Sequence, residues 1–126
     1  MNEEVVQSAM AIILNAGDAR VACKEALDAI AAFDYETAEE KLKVCHEKIT
    51  VAHKVQTDAI QDETRGEKSE YSLLFAHAQD TLMTIYSEIN IAKQLLKIFK
   101  AYETRIAALE KKERKGFQAM KSFLYK

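Results

Sequence analysis

At 126 residues the chain has the size of a single domain, large enough to bury a core without disulfides or a metal staple. With 48% apolar and 30% charged residues it is neither disordered nor a membrane protein by composition, and the absence of proline beside only three glycines favours long helices. The net charge of −2 conceals an asymmetry: residues 1–99 carry 10 basic and 17 acidic side chains, residues 100–126 carry 8 and 3. An acidic body argues against nucleic acid as the main partner, because phosphate binding needs clustered Lys and Arg.

Three helices follow from periodicity. The first runs from about Glu3 to Ala31, with Asn2 as its cap, Glu3 and Glu4 at its positive end, and Val6, Ile13, Val21, Ala26 and Ile30 as apolar positions. Gly17-Asp18 is expected to interrupt it. A short connection through Phe33 and Asp34 follows, and Asp34 can cap a second helix on which Ala38, Leu42, Cys45, Ile49, Ala52 and Ala59 recur at spacings of three, four or seven. The polar run Asp62 to Ser69, centred on Gly66, reads as a loop.

Helix three is expected to start near Ser69 or Glu70. Its apolar positions Leu74, Ala78, Leu82, Ile85, Ile89, Ala92, Leu96 and Phe99 follow a period near 3.5 residues, that of supercoiled helices. A second apolar row on this helix, including Leu73, Ile91 and Ile98, would stay wet in a three-helix bundle, and self-association would bury it. The division expected is a helical bundle over 1–102 and a basic helical extension over 103–126. Gly116 should end or bend that extension, and its last apolar residues, Phe117 to Tyr125, are expected to dock back on the bundle or meet a membrane surface or partner.

Ala9 to Leu14 is too short and too acidic in its flank for a signal core, and no segment approaches the ~20 apolar residues of a membrane span. A cytoplasmic location is therefore expected. Cys23 and Cys45 have no CxxC spacing, which makes them free packing thiols.

Chemistry concentrates on helix three, where His77 and Asp80 share a face within an apolar stretch. Such a pair serves packing, metal binding or catalysis. His46 and His53 lie seven apart with no HExxH motif or cysteine pair, no glycine-rich phosphate loop exists, and no serine or cysteine has recognisable triad partners. A nucleophilic histidine is the simplest chemistry left, since an imidazole nitrogen can accept a phosphoryl group and release it again.

Four segments, Leu14 to Arg20, Ala52 to Thr57, Arg65 to Lys68 and Ser72 to Thr84, together resemble the lactose/cellobiose-type enzyme IIA of the bacterial sugar phosphotransferase system, over about residues 5–102. The resemblance implies an all-α antiparallel three-helix bundle assembling into a homotrimer of nine helices, with the third helices around the axis. It implies that His77 accepts a phosphoryl group from the histidine phosphocarrier protein and passes it to a cysteine of enzyme IIB, while the membrane component IIC imports a lactose-, cellobiose- or chitobiose-type sugar. Asp80 would point at the three-fold axis, where three copies share Mg2+ or a similar divalent cation; Gln79 and Gln56 are candidates for positioning phosphate oxygens. Many members carry a second histidine where this chain has Thr81, and the tail past Tyr102 runs beyond the usual family end. The alternative is a regulatory or structural protein that keeps the bundle without carrying phosphate.

Overall fold

Small side chains decide how closely the helices approach. Of the nine buried residues of α1 (Glu3–Ala31), six are alanine, set at three- and four-residue spacings around Ile12, Cys23 and Ile30. Helix α2 (Tyr35–Thr64) contributes Ala38, Leu42, Cys45, Ile49 and Ala52, and α3 (Leu73–Leu124) contributes Ala78, Leu82, Ile85, Ile89, Ala92 and Leu96. The computed structural model describes residues 3–65 and 72–125. Among these residues there are three helices and no strand. No helix among them is long and apolar enough to cross a membrane.

Ion pairs fix direction and register. Asp18 meets Lys48 and Glu25 meets Lys41, so α2 descends as α1 rises. Arg20 of α1 grips Glu88 of α3 with two hydrogen bonds of 3.1 and 2.8 Å, and Glu39 of α2 pairs with Lys100. The helices therefore run up, down and up, with α1 and α3 parallel.

The connection between α1 and α2 is tight because the end of α1 is capped by its own backbone. The amides of Phe33 and Asp34 donate to the carbonyls of Ile30 and Ala29, the paired pattern that closes a helix through a left-handed residue. That residue is Phe33, at φ 61°, where glycine is the usual occupant. Asp34 then caps α2 as expected: its carboxylate accepts from the Thr37 amide and hydroxyl at 3.2 and 2.6 Å, which holds the carboxyl below its ordinary value.

Four expectations need correction. Gly17 does not interrupt α1, which is continuous, and Gly116 neither ends nor bends α3. Neither glycine has a left-handed φ, so both sit as ordinary helical residues that cost a little entropy and break nothing. Residues 62–64, read as loop, still belong to α2. The tail does not fold back: every described residue from Lys97 to Tyr125 is exposed. Only its base is braced, by the Lys100–Glu39 pair and by Glu103 beside the Tyr35 hydroxyl.

Val21, expected in the core, is 59% exposed. It lies with Met10 and Leu14 on the side of α1 facing away from the core. The expected cap Asn2 and the expected start of helix three at Ser69 or Glu70 lie outside the described residues. Cys23 and Cys45 are buried free thiols, as expected.

Candidate functional site

Ser72 sets the start of α3. Its backbone is extended, φ −122° and ψ 118°, and its hydroxyl accepts from the Phe75 amide at 3.1 Å, satisfying one donor of the first turn. This cap went unrecognised in the sequence, although a serine directly before Leu73-Leu74-Phe75 is the pattern that marks one. From there the helix places Ala78, Leu82 and Ile85 inward and leaves His77 and Asp80 exposed.

At 100° per residue, Asp80 lies roughly 170° around α3 from the centre of the core stripe, and His77 roughly 60° from Asp80 and one turn earlier. The two are neighbours on the outer surface, with no hydrogen bond between them. The Thr81 hydroxyl donates to the His77 carbonyl at 2.8 Å, and the Thr84 hydroxyl donates to the Asp80 carbonyl at 2.8 Å. Thr81, standing where many family members have histidine, is therefore turned back on its own helix.

The register set by the ion pairs puts His77 level with the first turns of α1 and the last turns of α2, at one end of the bundle. Gln56 lies in the second half of α2, toward the same end of the bundle. Its side-chain oxygen is buried without a hydrogen-bond partner. Gln79 follows His77 by two residues, which turns it to another side of the helix. Within one helix Gln79 is therefore not set beside His77.

Asp80 shares its outer row with Leu73, 75% exposed, and Ile91, 59% exposed. The apolar row expected on helix three is thus present and uncovered in the single chain. No group of three or more His, Cys, Asp or Glu side chains able to hold a metal occurs among the described residues. Asp80 offers the hard oxygen donor suited to a magnesium-type cation, but one chain supplies one such carboxylate here.

Residues 7–100, most of the chain, match the family model for the phosphotransferase system lactose/cellobiose-specific IIA subunit. The chain belongs to the lactose/cellobiose-specific IIA family. It is similar to the lichenan-specific phosphotransferase enzyme IIA component of Bacillus subtilis, 39% identical over 86% of this chain and 100% of that one. It also resembles the lactose-specific EIIA component of Lacticaseibacillus casei, 35% identical over 88% of this chain and 96% of the other. Among solved structures, the cellobiose-specific enzyme IIA from Bacillus anthracis superimposes with a TM-score of 0.77 at 36% identity, covering 82% of this chain and 95% of that one. PtcA from S. mutans gives 0.75 at 38% identity, covering 79% and 99%. This IIA component is accordingly part of a sugar phosphotransferase system, the machinery that moves phosphoryl groups between its components. His77, Asp80, Gln56 and Gln79 all fall within the matched residues.

Proposed function

We propose that this IIA component carries phosphate on His77, taking it from the histidine phosphocarrier protein and giving it to a cysteine of enzyme IIB during uptake of a lactose-, cellobiose- or chitobiose-type sugar, in the cytoplasm. The observation that carries the reading is an exposed imidazole on a capped, rigid helix within the matched segment. A carrier must meet two different partners in turn, so its nucleophile has to stand on the surface.

The chemistry is two in-line displacements at phosphorus. In the first, the lone pair of the distal ring nitrogen of His77 attacks while the nitrogen–phosphorus bond of the donor breaks, and the donor imidazole leaves. In the second, a IIB thiolate attacks the same phosphorus and the bond to His77 breaks. The α3 backbone holds the imidazole in place through both steps, so little is lost to reorganisation. The carrier need not read the sugar at all.

Self-association belongs to the same reading. The Leu73–Asp80–Ile91 row on α3 and the Met10–Leu14–Val21 row on α1 both face away from the chain's own core, and a closed homotrimer buries two faces per chain. Around a three-fold axis three Asp80 carboxylates converge and repel one another. A bound magnesium-type cation supplies the compensating charge there.

The test is to incubate the protein with phosphoenolpyruvate, enzyme I and the phosphocarrier protein and to measure intact mass. One acid-labile phosphoryl group is expected on the wild type and none on His77→Ala. A wild type that stays unmodified beside competent donors would leave the regulatory reading in its place.

A further inference from the structure

Past Leu96, the last buried residue of α3, the helix continues to Leu124 with no element packed against most of it. A solitary helix of this length is marginal in water, yet this one is not polar all round. Ile98, Leu109 and Met120 repeat every eleven residues, and Ile106 and Phe117 do the same one turn away; all are about half exposed or more. Eleven residues make three turns of 3.67 residues, so the row stays on one side of a nearly straight helix.

The same eleven-residue step passes from Asp80 to Ile91, then to Tyr102, Glu113 and Leu124. The row of the tail, apolar except for Glu113, is therefore the continuation, without a change of face, of the row on which Asp80 stands. The period shifts from 3.5 along the core stripe to 3.67 along this outer row. Nothing interrupts the helix between the two ends, so the direction of the tail is fixed by the bundle.

We propose that residues 98–124 pair in parallel with the same segments of two further copies, forming a three-stranded helical stalk that extends the assembly by roughly 40 Å. The inference rests on the trimer proposed above: if three α3 helices meet through the Asp80–Ile91 row, their tails leave the bundle side by side with their apolar rows facing inward. Charge favours the parallel arrangement. Arg105 flanks the row on one side and Glu103 and Glu110 flank it on the other. In parallel helices a residue on the first flank meets the one five positions later on its neighbour, which sets Arg105 against Glu110 of the next copy. Lys111 and Lys115 lie opposite the row, facing solvent, where three like-charged tails keep them farthest apart.

The test uses the full chain with a single added cysteine, either Met120→Cys on the row or Gln118→Cys on the far side. Both positions are exposed, and the native thiols are buried. Under mild oxidation Met120→Cys should form inter-chain disulfides at least about tenfold faster than Gln118→Cys, because only the row brings cysteines within bonding distance. Light scattering on the same samples separates the two readings. A trimer whose two variants cross-link equally slowly removes the stalk and leaves the trimeric body; a monomer removes both. The stalk is also overturned if the full chain floats with phosphatidylglycerol vesicles and Met120→Glu abolishes that binding, for then the row serves a membrane surface.

Discussion

At Cys45 a single thiol reports on the core. The side chain is fully buried, and its Sγ donates to the Ala19 carbonyl across the α1–α2 contact at 3.2 Å. Burial above all, and then the neighbouring Cys23, pushes its pKa up to about 12. The unfolded thiol ionises at about 8.5. Folding stability from this group is therefore complete below that pH and is lost progressively as pH rises toward the folded value, since the unfolded chain releases its proton first. Denaturant melts between neutral and strongly alkaline pH should show a falling stability whose alkaline slope becomes shallower in Cys45→Ala. Ellman's reagent should label neither native cysteine until denaturant is added. The packing role of both thiols was legible from spacing alone. Their mutual contact was not, because it depends on how α1 and α2 are rotated against each other.

Phe33 belongs to the scale of elements, because it decides how α1 hands over to α2. A bulky residue at φ 61° pays for the left-handed conformation, about 1–2 kcal/mol, and this one is 73% exposed and recovers little by packing. Phe33→Gly should raise unfolding free energy by about 0.5–1 kcal/mol, the strain relieved less the extra entropy of a glycine in the unfolded chain. Urea titration measures it, and a loss of stability would mean that contacts with Tyr35 and the base of the tail outweigh the strain. The elements that sequence reasoning placed well are those whose evidence is local: the Asp34 cap and the three- and four-residue spacings on α2 and α3. It failed at Gly17 and Gly116, where a glycine without a turn partner or proline beside it simply continues a helix. On α1 both faces carry apolar residues at helical spacing, and periodicity could not say that the alanine side packs inward while Met10, Leu14 and Val21 face out. His77 and Asp80 were visible as polar positions in an apolar stretch. Their separation around the helix became definite only once the buried stripe was located.

For the molecule as a whole, the outer row of α3 should govern both assembly and the behaviour of Asp80. If three carboxylates share an axial cation, a chelator leaves them repelling one another in a poorly solvated place, and the trimer should melt at a lower temperature. Asp80→Asn replaces the charges by amides that neither repel nor hold a hard cation firmly. It should therefore melt at the same temperature with and without EDTA. Ile91→Glu acts on the same row without touching His77 or Asp80, and it brings three new charges together where apolar contacts stood. Light scattering should find this variant monomeric, while circular dichroism keeps its helical signal, because Ile91 is exposed and contributes nothing to the core of its own chain. Phosphoryl transfer assays on the monomer then decide whether His77 works alone. If Ile91→Glu still accepts phosphate at the rate of the wild type, the exposed helix face is a sufficient site and the trimer serves stability. A loss of transfer in a folded monomer would mean that a neighbouring copy completes the site, which is where Gln79, turned to another side of the helix from His77, would find a role.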